Sequence, residues 1–195
     1  MSEKVTLERH RRRGAIAARL LDAAPDAAAA LNWDALDRGP AWLAAPDMDL
    51  ALEQRRLGAA LNTAAIRLWI DRRKLAAART AVGDAFLRAL LADFSVPEAA
   101  RHGVVENSAT TGDGCSDVAE WLRRCGAAVQ AAAISDTPLG QAGAIALCGR
   151  SGALQLSADA ARGLIEHASR IGANPVSAAN GLPRISANCS DLFKG

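Results

Sequence analysis

A chain of 195 residues can bury one sizeable core, and its formal charge of +2 gives no bulk electrostatic reason to bind nucleic acid. Roughly a quarter of the residues are alanine, aromatics make up only 4% and tyrosine is absent, so helices must pack closely through small side chains. β-Branched residues never alternate over a useful length, which excludes a strand-based core and leaves only short extended pieces near 103–106 and 153–156. The expected fold class is all-α, an irregular multi-helix bundle over residues 1–172 with a sub-boundary at 103–115 and an irregular tail over 173–195.

In chain order, the basic cluster Arg9, His10, Arg11, Arg12 and Arg13 lies on a first helix that continues through Ile16, Leu20 and Leu21 until Pro25 interrupts it. The plain reading is a solvated face or flexible arm; the functional one is contact with an acidic protein partner or anionic lipid, with DNA the least favoured. Gly39, Pro40, Pro46 and Asp47 bracket a short apolar run, so residues 32–48 read as a linker with one small helical turn at Ala41 to Ala45. Trp33 and Trp42 lie in this linker. Each either anchors it to the body or offers a partner an exposed aromatic contact. Arg9, Arg11, Arg12, Arg13, Trp33 and Trp42 are therefore the candidate partner-binding residues.

Leu50, Leu57, Leu61 and Leu68 recur at helical spacing with Arg55, Arg56, Asn62 and Arg67 mainly between them, which predicts one continuous amphipathic helix. Asp71 is placed to cap a second segment carrying Leu75, Ala78 and Val82, and Gly83 to stop it. From Asp84 a third segment presents Phe86 with Leu90 and Leu87 with Leu91 and Phe94, two apolar rows suited to burial on more than one side. Ser95-Val-Pro-Glu98 is a capping box for a short helix to about His102, and Gly103 to Gly114 reads as a loop. Ser116 is expected to cap a helix with the stripe Val118, Trp121 or Leu122, Cys125 and Val129. Thr137-Pro138 is expected to open a helix ending near Gly149, and Ser157 one ending at Gly172.

The search for chemistry is mostly negative. No phosphate-binding loop, dinucleotide fingerprint or nucleophile elbow is present. Cys115, Cys125, Cys148 and Cys189 are widely and irregularly spaced with no histidine at finger spacing, so no metal is expected; Cys125 and Cys148 are read as small hydrophobes in helix interiors. Glu98 with His102 has i,i+4 spacing, and the adjacent Glu166 and His167 could pair an acid with an imidazole on the last helix; surface positions explain both. The chain is read as non-enzymatic, with no cofactor and no small-molecule substrate.

Residues 57 to 91 nevertheless have a distinctive order: Leu57-Gly58 and Leu61, then Arg67, Trp69, Ile70 and Asp71, then Leu75, Ala81, Val82, Gly83, Asp84 and Phe86. This order resembles the YscK/SctK-type accessory proteins of bacterial type III secretion systems, with weaker echoes at Ala41, Trp42 and Leu43 and at Gly152 to Leu156. The resemblance touches about two thirds of the chain as an order of features, with no catalytic motif to fix a role. It implies a cytoplasmic adaptor of the sorting platform, linking the cytoplasmic domain of the inner-membrane ring protein to the C-ring-like pod protein. Such a protein would be peripheral to the inner membrane through its partners. That localisation agrees with the absence of an uninterrupted apolar core after the N-terminal arginines, where Arg19 breaks the run, and of any apolar stretch of membrane-spanning length. The competing class is a helical regulator or nucleic-acid-binding protein, in which Arg72, Arg73 and Lys74 would join the N-terminal arginines on one face.

Overall fold

The structure, a computed structural model, describes residues 3–93, 95, 116–149 and 156–173. Among these the fold is all-α: α1 (Glu3–Ala23), α2 (Pro25–Ala29), α3 (Trp33–Asp37), a 3-10 turn (Ala41–Ala44), α4 (Asp47–Leu61), α5 (Thr63–Arg67), α6 (Arg72–Val82), α7 (Asp84–Ala92), α8 (Ser116–Ala133), α9 (Gly140–Cys148) and α10 (Ala158–Ala173). No helix among them is long and apolar enough to cross a membrane.

The pair α4 and α8 forms the most extensive helix contact, joining residues on either side of the expected boundary at 103–115, which itself lies outside the described residues. What lets them approach is glycine on both. A Cβ on Gly58 would lie 2.0 Å from the Leu122 carbonyl oxygen, and one on Gly126 would lie 1.8 Å from that of Gln54. Pairing 58 with 122 and 54 with 126 runs the helices antiparallel. Beside the contact the buried amides of Gln54 and Gln130 meet, Nε2 of Gln54 donating to Oε1 of Gln130 at 3.1 Å.

Two apolar cores form on different faces of α8, which gives Val118, Leu122, Val129 and Ala133 to one and Ala127 and Ala131 to the other. One gathers Leu61, Ile66, Val82, Leu87, Leu122 and Leu164 under α5, α6, α7 and α10 and runs along α8 to Ala133. The other gathers Ile16, Leu20, Leu36, Leu43, Leu50 and Leu139 under α1, α2, α3 and α9. Arg19 of α1 fastens the second core's edge, donating to the Leu43 and Ala45 carbonyls at 2.6 and 2.7 Å and to Asp47 at 2.7 Å.

Several predicted boundaries move. The helix expected to run unbroken from Leu50 to Leu68 ends at Leu61, because Asn62 leaves helical geometry and folds its amide back on the Gly58 carbonyl at 2.8 Å; α5 then restarts at Thr63. The linker over 32–48 contains a second helix, α3, whose N-terminus Asn32 caps by accepting from the Ala35 amide at 2.8 Å. Thr137 opens a turn instead of a helix: its hydroxyl donates to the Ile134 carbonyl at 2.7 Å and α9 begins only at Gly140. α8 begins at Ser116, and the capping expected of its side chain lies outside what is described. Asp71, Gly83 and Ser157 hold their expected places, Asp71 accepting from the Arg73 amide at 2.8 Å, Gly83 at φ 90° and Ser157 accepting from the Ala160 amide at 3.2 Å. Of the short extended pieces only Leu156 and of the capping box only Ser95 is described; their other residues, and the tail beyond 173, lie outside the described residues.

A methyl group on Gly58 or Gly126 meets backbone, which cannot rotate away. Gly58→Ala and Gly126→Ala are each expected to cost about 3 kcal/mol of unfolding free energy or more in urea titration. Gly163→Ala, on α10 with nothing within 4 Å of the added carbon, is expected to be neutral or stabilising by up to about 1 kcal/mol.

Candidate docking surfaces

The basic face of α1 is largely spent within the molecule. Arg9 and Arg13 both pair with the Asp37 carboxylate at the end of α3, and Arg12 donates to the Asp37 carbonyl oxygen. Guanidinium groups suit this place because a helix C-terminus leaves carbonyls unbonded and carries partial negative charge. The hydrogen bond from Arg9, reinforced by Arg13, holds the Asp37 carboxyl down to about 2 against the desolvation that opposes it. Of the four candidate arginines only Arg11 is exposed and without a contact among the described residues, so the cluster is chiefly a device for docking α3 on α1.

The two linker tryptophans divide between the two readings. Trp42 is half-buried and packs against the second core, anchoring the 3-10 turn. Trp33 is 64% exposed at the first position of α3. It borders an open groove of about 220 Å³ with Leu21, also exposed, and with Leu20, Leu31 and Leu36. Asp22, Asp26 and Asp34, all exposed, lie beside these residues in the chain and form no ion pair among the described residues.

A second apolar surface lies at the other end of α4 and α8, in the turn between α5 and α6. Trp69 turns inward, its ring centroid 5.9 Å from that of Trp121, while Leu68 and Ile70 on either side are 80% and 95% exposed. Helical periodicity assigned Leu68 to the buried stripe, but the break at Asn62 rotates it out of register. Arg72, exposed, and Lys74, half-buried, follow directly on α6.

Between α4 and α10 lies a more polar cleft of about 380 Å³, lined by Leu52, Glu53, Arg56, Leu57, Ala168 and Gly172 among others. The Arg56 guanidinium is held over the Phe86 ring, 5.2 Å from its centroid, and donates to the Val82 carbonyl at 3.3 Å. Partial burial pushes the Glu53 carboxyl up, and it has no ion pair among the described residues. His167, expected on the surface, is buried: Arg170 lies 2.9 Å from its Nδ1, and burial pulls its pKa down. Burial also pushes the Cys125 thiol up to about 11, and that of Cys148 in the same direction, so both stay protonated at neutral pH. No group of three or more metal-ligating side chains occurs among the described residues.

Compared with protein-family models, curated proteins and solved structures, the chain shows no match. The weight of any functional reading therefore rests on these surfaces.

Two outcomes check this account. Because the folded-state pKa of Asp37 is depressed, its contribution is fully present above the ordinary value of 3.8 and is lost as pH falls toward 2. Wild type should lose urea resistance across that window more steeply than Asp37→Asn, the difference between the two curves isolating this one carboxylate. Trp33→Ala is expected to change unfolding free energy by less than about 0.5 kcal/mol, whereas Trp42→Ala, which removes packed surface, should cost about 2 kcal/mol.

Proposed function

We propose that this protein is a non-enzymatic helical adaptor that joins two protein partners through opposite ends of the α4–α8 pair. The observation that carries this reading is the pair of exposed apolar surfaces, Trp33 with Leu21 on one side and Leu68 with Ile70 in the α5–α6 turn on the other, in a chain whose remaining large apolar residues are mostly buried among the described residues. Contiguous exposed apolar groups of this kind favour partner binding over solvation. A rigid spacer between them is what the glycine contact of α4 and α8 supplies.

The resemblance of residues 57–91 to the sorting-platform accessory proteins gives this proposal its finer form. The partners would be the cytoplasmic domain of an inner-membrane ring protein and the C-ring-like pod protein, met at the cytoplasmic face of the inner membrane. Several of the residues that carry the resemblance have defined places here: Gly58 in the helix contact, Trp69 against Trp121, Asp71 as cap and Gly83 at positive φ. The nucleic-acid alternative has less support, since Arg9, Arg12 and Arg13 turn onto Asp37 while Arg72 and Lys74 lie on α6 beside the other core.

The experiment is a pull-down at physiological salt from bacteria expressing a secretion apparatus, with the bound proteins identified. Wild type is expected to recover a ring component and a pod protein, while Trp33→Asp and Ile70→Asp each lose one and retain the other. Recovery of no secretion protein, or unchanged recovery by both variants, would overturn the proposal.

A further inference from the structure

The two surfaces just described differ in the sign of the charge around them. The residues that line the groove beside Trp33 and Leu21 are flanked in the chain by Asp22, Asp26 and Asp34 against one exposed arginine, Arg38; none of the three carboxylates is within ion-pair distance of a cation among the described residues, although Asp34 also feels the charge of Arg9. The ridge of Leu68 and Ile70 is followed by Arg72 and Lys74, for which no carboxylate partner occurs among the described residues, while the intervening Asp71 is committed to capping α6. An occupant of the groove must present exposed apolar side chains with cationic groups close behind them. Residues 68–74 of this same chain do so.

We propose that the protein associates head to tail with further copies of itself, the Leu68–Ile70 ridge of one copy seated in the Trp33 groove of the next. Apolar surface is covered on both sides of such a contact, and Arg72 and Lys74 are brought toward Asp22, Asp26 and Asp34. The two surfaces are unlike and lie at opposite ends of the α4–α8 pair, so the contact is heterologous. It leaves a free ridge at one end of the assembly and a free groove at the other, and grows as a linear array unless its rotation closes a ring. The charged groups are exposed, so salt weakens the contact, and the small apolar area makes it a reversible one. The inference uses the same two surfaces as the adaptor reading but can fail without it.

The test is sedimentation velocity of the full chain over a concentration series in low and high salt. The expected result is a sedimentation coefficient that rises with concentration, less so in high salt. Ile70→Asp and Trp33→Asp should each weaken self-association by about tenfold or more while leaving the far-ultraviolet circular dichroism unchanged, as both side chains are exposed. Mixing the two variants gives the decisive reading: each keeps one competent surface, so they should form a one-to-one dimer that grows no further. A wild type that stays monomeric throughout, self-association that survives both substitutions, or variants that fail to pair on mixing would each overturn the inference. A monomer that still captures both partners in the pull-down sinks self-association and spares the adaptor; an array-forming protein that captures neither does the reverse.

Discussion

Where α4 meets α8, two backbones stand against each other with no side chain between them, and the other helices are arranged around that contact. The antiparallel register set by Gly58 opposite Leu122 and Gly126 opposite Gln54 decides which residues of each helix face which core. It turns Leu57 and Leu61 with Leu122 and Val129 toward one core, and Leu50 with Ala127 and Ala131 toward the other. A slip of one residue would set Cβ atoms against carbonyl oxygens and separate the amides of Gln54 and Gln130, which are otherwise buried from water. A chain poor in aromatics gains its packing density this way, by moving backbones together instead of filling the space between them.

The second recurring device is arginine at the ends of neighbouring helices. Arg12 reaches the carbonyl of Asp37 at the end of α3, Arg56 that of Val82 at the end of α6, Arg67 those of Leu91 and Asp93 at the end of α7, and Arg162 that of Ala133 at the end of α8. Each supplies donors to carbonyls that the helix itself leaves unbonded, and each brings positive charge to the negative end of a helix dipole. The planar fork does this while lying along apolar surface, as Arg56 does over Phe86. These four arginines are thereby directed inward to helix ends.

That redirection explains what the sequence did and did not reveal. Apolar spacing marked the buried rows of α7, α8 and α10, and Asp71, Gly83 and Ser157 announced their boundaries because caps act within a few residues. The break at Asn62 was invisible to periodicity, since the apolar pattern continues through it and only the side-chain bond to Gly58 reveals the stop. The arginines of α1 looked like a surface because their partner, Asp37, is more than twenty residues away in a segment read as linker. For the same reason Trp33 and Trp42 looked equivalent, although α3 turns one outward while the 3-10 turn lays the other on the core. Contacts set by long-range packing are not encoded in local spacing.

The glycine contact also shapes how this sequence can change over time. When two side chains crowd each other, shrinking one makes room for the other, and the two positions can drift together. Here the obstacle to a Cβ at position 58 or 126 is the opposite helix's main chain, which every amino acid shares. No replacement at Leu122 or Gln54 removes it, so neither glycine has a compensating neighbour. Both sites should stay fixed in descendants while the apolar residues around them exchange freely, and genetic selection for suppressors of a change at either should return true revertants or shifts of a whole helix.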